Sequence, residues 1–397
     1  MIVSAVCLFC LLAYLVGERV VLRRRLKSIP LRVAVTGTRG KSSVVRLTAA
    51  ALRASGRRVL AKTTGSRPVL IHPDGSEREI DRRGPASILE GKAFLKAACR
   101  LGVDTVVAEL MSIQPECLRA ESRRLLQPSL LAVTNIRLDH RDVMGRSREE
   151  IARSLAEAVP RGGRVFMLQE DAHPAVEEVA GKRGAALTIV PEERGRSRRV
   201  EEGSRRSWDF PGNTRLALAL AAACGVGRRT ALKAMSSARP DSGAFRSWRV
   251  RAGCPSRAWH CASAFAANEP ESTAVLLDRL RKAGFLRRAP RVALLNLRDD
   301  RPDRTLQWLA AARSGFFREF DSLLVAGASR MAARMWRKEA AAARLPLALL
   351  PPSGPAAVMD GLASRHKTGG SLFGAGNIGG LGRDLVAYWE RDGADDA

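Results

Sequence analysis

The first segment of the chain is a long apolar run that ends in arginines. Residues 2–16 are apolar or small throughout, the run resumes after a polar interruption and extends to Leu22, and Arg23-Arg24-Arg25 ends it. About 20 apolar residues cross the hydrocarbon core of a bilayer. The pattern therefore predicts a membrane anchor over residues 1–22 and a basic juxtamembrane linker over residues 23–30. An interfacial helix or a buried core helix are the alternatives.

The order of apolar run and positive charge also predicts an orientation. The arginines follow the apolar run instead of preceding it, and no small-x-small cleavage site is evident, which is the reverse of a secretory signal peptide. The positive-inside rule then places the N-terminus outside and the body in the cytoplasm. We expect a single-pass protein of the cell membrane.

After this segment, short apolar runs alternate with stretches of helical periodicity. This alternation predicts an α/β fold with parallel β-α-β units, whose ligands bind at the carboxyl ends of the strands. We expect a central domain over residues 31–246 and a second, smaller Rossmann-like domain over residues 247–397. The predicted strands lie at or near residues 33–36, 103–108, 130–134, 164–168, 260–265, 292–295, 323–325 and 371–373.

A glycine-rich turn joins the first predicted strand to the first predicted helix. It reads Gly37-Thr38-Arg39-Gly40-Lys41-Ser42-Ser43. Glycines let backbone N–H groups approach phosphates, Lys41 reaches the outer phosphates, and Ser42 can ligate Mg²⁺. The general pattern G-x-x-x-x-G-K-[ST] has glycine where this chain has Val35. We predict a phosphate-binding loop; a tight turn with a solvated lysine is the alternative.

Polar residues follow two of the predicted strands directly. Glu109 comes after the strand at 103–108, and Asn135, Asp139 and His140 come after the strand at 130–134. Mg²⁺ usually takes one or two protein carboxylates plus phosphate and water oxygens, so a sparse ligand set is expected. Glu109 and His140 are predicted to converge on the loop. Taken singly, a glutamate here is more often a surface carboxylate and a histidine more often a hydrogen-bonded structural residue; the functional interpretation depends on the two occurring together beside the loop.

A further set of polar residues lies just beyond strand ends in the second domain. Arginine suits bidentate capture of carboxylates, so we expect this set to bind an acidic substrate in the cleft between the domains. A salt-bridge cluster within the loop is the alternative. The set comprises Asn268, Arg298, Asp300, Arg301 and Arg304.

Composition adds one strong feature, a net charge of +27 from 67 Lys and Arg against 40 Asp and Glu. Such a field attracts nucleic acid, acidic lipid or an acidic substrate or polymer, unless it reflects a bias toward arginine spread over solvated faces. With 5% aromatic residues and no helix-turn-helix or zinc signature, nucleic acid is not the expected partner. The seven cysteines are an odd number, which argues against a disulfide scaffold.

The order of these motifs resembles the central domain of the Mur ligase superfamily of ATP-dependent amide-forming ligases. Further stretches resemble one branch, the amide-ligase subunit of poly-γ-glutamate synthase, and they extend from residue 33 to about residue 384. They are Lys62-Thr63-Thr64-Gly65, Asp139-His140-Arg141-Asp142-Val143-Met144-Gly145, Pro240-Asp241-Ser242-Gly243-Ala244-Phe245-Arg246, Ala264-Phe265-Ala266-Ala267-Asn268, Arg298-Asp299-Asp300-Arg301-Pro302-Asp303-Arg304-Thr305 and Gly374-Ala375-Gly376-Asn377-Ile378-Gly379-Gly380.

The resemblance implies ATP and Mg²⁺ as cofactors and an acyl-phosphate mechanism. It implies that Glu109 and His140 help Ser42 to hold the metal, with Lys41 acting on the phosphates. It also implies that Asn213 and Arg246 lie near the nucleotide, although Asn213 could simply be the N-cap of its helix. The expected substrates are glutamate and the growing anionic polymer, and the expected partners are small membrane subunits, with a homo-oligomer left open.

Two departures from the wider superfamily narrow this expectation. Residues 148–160 contain no lysine, which puts a carbamylated metal ligand in doubt. Only about 36 residues precede Gly37, too few for a UDP-binding domain, so the substrate is expected to lack UDP. The alternatives are another amide ligase of folylpolyglutamate or cell-wall type, and a membrane-tethered nucleic-acid-binding ATPase.

Overall fold

Alternating strands and helices build two α/β units, Met1–Asp241 and Ser242–Ala397. The predicted α/β class is therefore confirmed. The residues described by this computed structural model are 2–65, 68–82, 84, 86–138, 143–192, 210–241, 243–253 and 256–395.

The first unit is organised around an eight-stranded sheet in the order β4-β3-β2-β5-β1-β6-β7-β8. Its strands are β1 (Leu31–Thr36), β2 (Val59–Thr63), β3 (Val69–Ile71), β4 (Glu77–Glu79), β5 (Thr105–Glu109), β6 (Leu130–Val133), β7 (Arg164–Leu168) and β8 (Ala186–Val190). Its helices are α1 (Ile2–Ser28), α2 (Lys41–Ala54), α3 (Glu90–Arg100), α4 (Pro115–Arg119), α5 (Arg148–Ala156), α6 (Pro174–Lys182), α7 (Pro211–Ala223) and α8 (Arg228–Ser236), with a π-helix at Ala120–Leu126.

The centre of this sheet sets the position of the polar residues at its strand ends. β1 pairs in parallel with β5 on one side and with β6 on the other, with Val35 opposite Glu109 and Thr36 opposite Val133. Val33, Ala34 and Val35 are fully buried because helices cover both faces of the sheet. Glu109 and the residues after Val133 therefore flank the turn that follows β1.

Helix α1 is long and apolar enough to cross a membrane, judged by its length and composition. Its first residues are exposed, with Ile2 at 82% and Phe9 at 72%. The helix continues to Ser28, so most of the predicted linker over 23–30 is helical. Arginine, leucine and lysine all favour helix, and nothing in the segment breaks the helix before Pro30.

The last turns of α1 pack onto the body of the first unit. Leu26 is buried in its core, as is Ile29 just beyond the helix. Glu18 forms an ion pair with Lys92 on α3, and the Arg25 guanidinium donates to the Lys92 carbonyl at 3.5 Å. The apolar helix is thus held to the rest of the first unit by direct contacts with α3.

The second unit contains a seven-stranded sheet in the order β13-β12-β11-β14-β10-β9-β15. Its strands are β9 (Arg246–Ala252), β10 (Arg257–Ser263), β11 (Arg291–Asn296), β12 (Ser322–Ala326), β13 (Leu347–Leu349), β14 (Gly370–Gly376) and β15 (Gly393–Asp395). Its helices are α9 (Pro270–Lys282), α10 (Pro302–Arg313), α11 (Arg330–Ala342), α12 (Pro355–Arg365) and α13 (Leu381–Asp392), with 3-10 turns at Phe265–Ala267 and Phe285–Arg287.

Aromatic side chains fill the core of this second unit. Trp389 on α13 is fully buried, and its ring lies 5.6 Å from that of Trp248 on β9 and 6.1 Å from that of Phe265.

Strand β9 is antiparallel to β10 and was not predicted from the sequence. Its exposed residues Arg249 and Arg251 alternate with buried ones, so the segment contains no apolar run.

We predict that Trp389→Ala destabilises the second unit by about 3–5 kcal/mol, because it removes a fully buried aromatic side chain and leaves a cavity. Denaturant unfolding followed by circular dichroism would measure the change. The control is Met331→Ala at a position that is 70% exposed, with an expected change within about 0.5 kcal/mol. Equal effects of the two substitutions would contradict this account of the core.

Candidate nucleotide and metal site

The turn after β1 requires glycine at both of its glycine positions. Gly37 and Gly40 have φ values of 127° and 79°, which L-residues with a side chain rarely adopt. A Cβ on Gly37 would lie 2.9 Å from the Thr134 nitrogen, and one on Gly40 would lie 2.5 Å from Asn213 Oδ1. The backbone of the turn is therefore packed directly against its neighbours.

Hydrogen bonds from the end of β6 hold the turn in shape. Thr38 Oγ1 donates to Asn135 Oδ1 at 2.6 Å, and the Arg39 N–H donates to the same oxygen at 3.0 Å. The Arg39 carbonyl accepts from Asn135 Nδ2 at 2.9 Å and from Thr134 Oγ1 at 2.6 Å. Because Thr38, Thr134 and Asn135 are buried, these bonds are shielded from water and fix the loop before any ligand binds.

Lys41 opens helix α2 and folds back over the turn. Its Nζ donates to the Gly37 carbonyl at 2.8 Å, which places the ammonium group above the loop. The first turn of α2, which also contains Ser42 and Ser43, carries no acidic residue. The positive end of the helix dipole and the lysine charge therefore add together at this point, as an anion-binding site requires.

Glu109 lies beside the first turn of α2. It is only 4% exposed, and its Oε2 accepts from Ser42 Oγ and from the Thr64 N–H, both at 2.8 Å. The hydroxyl of Ser42 and the carboxylate of Glu109 are hard oxygen donors of the kind that Mg²⁺ prefers. The predicted pair Ser42 and Glu109 is thus in direct contact, and its donor set fits Mg²⁺.

Sequence reasoning did not assign a site role to the residues at the end of β2. The Thr64 backbone supplies one of the two hydrogen bonds to Glu109, and a Cβ on Gly65 would lie 2.5 Å from Ser42 Oγ. The available signal was the position of Thr64-Gly65 at the end of an apolar run. The run Val59–Ala61 is short and ends in the charged Lys62, which concealed the strand.

Two buried charged residues near Glu109 were also missed. Glu121, on the π-helix, accepts from the Ser112 hydroxyl at 2.7 Å and from the N–H groups of Met111 and Ser112 at 3.1 Å. Burial raises the pKa of Glu121, and its effect exceeds that of these hydrogen bonds, which lower the pKa. Lys62 is 2% exposed and lies 3.3 Å from Glu90. The Glu121 hydrogen bonds hold the segment that follows Glu109, and the Lys62 ion pair joins β2 to α3. No local pattern in the sequence predicts either contact.

The predicted metal ligand His140 lies outside the described residues, as does Asp139, so its role stays a prediction. Among the residues that the structure does describe, no group of three or more His, Cys, Asp or Glu could hold a metal ion.

Asn213 lies inside the first turn of α7, whose N-cap is Phe210. The alternative that Asn213 caps the helix is therefore wrong. The side chain is 6% exposed and lies against Gly40, as part of the wall of the turn.

The predicted site residues of the second unit contact one another and their neighbours. Arg246 begins β9, forms an ion pair with Glu390 and stacks over the Trp248 ring at 4.9 Å. Arg298 donates twice to Asp300, at 2.8 and 2.5 Å, and this hydrogen bonding lowers the pKa of Asp300. Arg298 and Asp300 therefore form a salt bridge within the loop, which is the alternative to substrate binding given in the sequence analysis.

Asn268 sits in a cluster of asparagines at the carboxyl ends of β10, β11 and β14. It adopts a φ of 60°, its Oδ1 accepts from Asn377 Nδ2 at 3.0 Å, and its carbonyl accepts from Trp308 Nε1 at 3.3 Å. Arg301 is exposed at the start of α10, and Arg304 lies 4.0 Å from Glu269. These side chains share one edge of the second sheet.

Comparison with known proteins identifies the class. The Mur ligase middle domain matches residues 35–202, and the poly-gamma-glutamate synthase CapB C-terminal domain matches residues 251–392. A bifunctional folylpolyglutamate synthase/dihydrofolate synthase from Yersinia pestis, complexed with AMPPNP and Mn ion, superposes with a TM-score of 0.62 at 18% identity, covering 94% of this chain and 92% of that one. The fold and the site define a Mur-type, ATP-dependent amide ligase.

Two relatives identify the family within this class. The capsule biosynthesis protein CapB of Bacillus anthracis is 32% identical over 77% of this chain and 65% of its own length, so the match spans just under two thirds of that protein. The PGA synthase CapB of Bacillus subtilis is 31% identical over 72% of each chain. The chain belongs to the CapB family, and the resemblance inferred from its motifs is confirmed.

We predict that Asn135→Ala weakens nucleotide binding about tenfold or more. The substitution removes the side-chain hydrogen bonds to Thr38 and Arg39, each worth roughly 0.5–1.5 kcal/mol, and leaves the loop without its fixed shape. Titration of the full chain with a fluorescent ATP analogue would measure this. Ser364→Ala on α12 is the control, and an Asn135→Ala affinity equal to that of the control would refute the role of this network.

Proposed function

We propose that this chain joins glutamate residues through their γ-carboxylates, using ATP, to make poly-γ-glutamate. The observation that carries the proposal is the contact of Glu109 with Ser42 at the start of α2, in a chain of the CapB family. This contact puts a buried carboxylate and a hydroxyl beside a phosphate-binding turn, which is the arrangement that metal-assisted phosphoryl transfer needs.

In this proposal the turn Gly37–Ser43 and the N-terminus of α2 bind the ATP phosphates. Lys41 moves from the Gly37 carbonyl onto the outer phosphates and stabilises the charge of the phosphoryl group in transfer. Ser42 and Glu109 would hold Mg²⁺, with His140 as the proposed third ligand, and the ion would neutralise phosphate charge. Asn213 lines the nucleotide site beside Gly40, and Arg246 is assigned to the same nucleotide.

The reaction proceeds through an acyl phosphate. A carboxylate oxygen of the substrate attacks the γ-phosphorus, the bond to the β-phosphate oxygen breaks, and ADP leaves. The amine of the second substrate then attacks the acyl carbon, loses a proton, and inorganic phosphate is expelled as the amide forms. Activation is needed because a carboxylate is a poor electrophile at neutral pH, and the protein contributes mainly position and charge.

The second unit is proposed to bind glutamate through Asn268, Arg298, Asp300, Arg301 and Arg304. Arg298 already pairs with Asp300, so a substrate carboxylate competes for a guanidinium that is held in place rather than mobile. We propose that α1 spans the membrane with the body on the cytoplasmic side, in a complex with small membrane subunits and with a homo-oligomer left open. That location delivers the polymer at the site of export.

The direct test is an amino-acid screen for ADP release by the full chain in its membrane complex. We predict release that depends on L- or D-glutamate and that falls at least about a hundredfold in Lys41→Ala, since the substitution removes a charge acting on the transferred phosphoryl group. Lys96→Ala, on the exposed face of α3, is the matched control. Release that needs a folate, or that nucleic acid stimulates without glutamate, would point to the alternative functions.

A second test addresses the metal. Glu109→Gln keeps the shape and hydrogen-bonding reach of the side chain but removes its charge, so we predict that the Mg²⁺ concentration needed for half-maximal ADP binding rises about tenfold or more. Isothermal calorimetry measures this without turnover. Glu178→Gln, at an exposed position of α6, serves as control. An unchanged Mg²⁺ requirement in Glu109→Gln would remove Glu109 from the metal site.

A further inference from the structure

A large cleft opens on the first unit, apart from the nucleotide turn. It has a volume of about 1060 Å³ and lies between the C-terminal half of α2, the β3–β4 hairpin and α8. Its described lining residues do not include Gly37–Ser43. We call it the basic cleft, after the cations Arg46, Arg53, Arg229, Lys233 and Arg239 that line it.

The floor of the basic cleft contains two arginines of α2. Arg46 is 6% exposed and is held by Glu77 through two N–H groups, with Asp241 at 3.8 Å. Arg53 is half-buried, and burial lowers its pKa while the nearby carboxylates Asp74 and Glu77 act to raise it. The arginines of the floor therefore lie beside carboxylates, and the exposed cations of the cleft lie at its rim.

The rim of the basic cleft carries three exposed cations, Arg229, Lys233 and Arg239. Arg229 and Lys233 stand four residues apart on α8, so their side chains share one helix face and repel each other. Like charges collected around a concave surface raise the local concentration of a flexible anion. The rim is therefore suited to a ligand with several negative charges rather than one.

The remaining lining residues match a chain of γ-linked glutamates in chemistry. Each repeat of such a chain carries one carboxylate, one amide and two methylenes. The cleft offers hydroxyls for the amides and small apolar patches for the methylenes beside its cations; these lining residues include Thr230, Ser236, Ser237, Ala50, Ala54 and Ala234.

The same lining fits nucleic acid poorly. No aromatic side chain occurs among the described residues that line the cleft, so bases have no stacking platform. Asp74 and Glu77 also line the cleft, and they repel phosphates and carboxylates alike. A γ-linked glutamate chain needs no stacking platform, so the lack of aromatic lining favours it over nucleic acid.

We propose that the basic cleft is a second binding site, which holds the growing γ-linked glutamate chain while the nucleotide site turns over. The proposal rests on the proposed function, because that function supplies the polymer. A chain held at the cleft stays at high effective concentration near the enzyme between additions. The cleft would therefore set how many additions occur before release.

The binding test uses the full chain in detergent and a fluorescent γ-linked glutamate oligomer. The variant is the triple change Arg229→Gln, Lys233→Gln and Arg239→Gln, all at exposed positions, which keeps the fold intact. We predict about tenfold weaker binding, since three exposed ion pairs each contribute a few-fold at most. The control removes the same charge from exposed positions of α11, with Arg334→Gln, Arg337→Gln and Lys338→Gln, and should bind as the wild type does.

Product analysis separates this proposal from the proposed function. In the membrane complex the cleft variant should keep glutamate-dependent ADP release but make shorter polymer than the α11 control. If wild-type ADP release does not depend on glutamate, the proposed function fails. If that release is glutamate-dependent yet the cleft variant binds the oligomer and sets polymer length as the wild type does, the cleft proposal alone fails. Tighter cleft-dependent binding of an RNA oligomer or of anionic vesicles would overturn the polycarboxylate assignment.

Discussion

The candidate site depends on one buried carboxylate. Glu109 is 4% exposed, and removing an ionised carboxylate from water is strongly unfavourable unless hydrogen bonds offset the loss. Ser42 Oγ and the Thr64 N–H supply two such bonds. They come from the ends of two different segments, so they reach Glu109 only while β5 lies between β2 and β1 in the observed register. A shift of one residue would turn the carboxylate to the other face of the sheet.

The opposite side of the turn is built from β6 in the same way. Asn135 accepts from Thr38 and from the Arg39 N–H while it donates to the Arg39 carbonyl, so one side chain satisfies several groups of the loop. Residues at the ends of β5 and β6, the two strands beside β1, thus fix the turn and the start of α2 by hydrogen bonds. A loop fixed in this way loses little conformational entropy when phosphates bind, which favours affinity. These contacts come from both sides because β1 has a parallel neighbour on each side in the sheet.

The residues on both sides of the turn could be predicted from the sequence, because they directly follow apolar runs. Glu109 and Asn135 end such runs, and parallel strands bring their carboxyl ends to one edge. Lys62 and Glu121 could not be predicted, since their burial comes from tertiary packing around Glu109 and leaves no local pattern. Asn213 could be taken for an N-cap because asparagine is a common cap residue. In the structure Pro211 is the first residue of the helix, so Asn213 lies inside the first turn.

Net charge alone could not say where a polyanion binds, and the structure explains why. Many arginines are neutralised by specific carboxylates, as Arg46 is by Glu77 and Arg291 is by Asp321, and these contribute no free surface field. The rim of the basic cleft is different, because its cations are gathered on one concave face. Exposed ion pairs contribute at most about 1 kcal/mol each. A polymer held by several such contacts stays associated as a whole while each contact exchanges rapidly, so it can advance after every addition. A deep site with buried pairs would hold one position of the chain and stall growth.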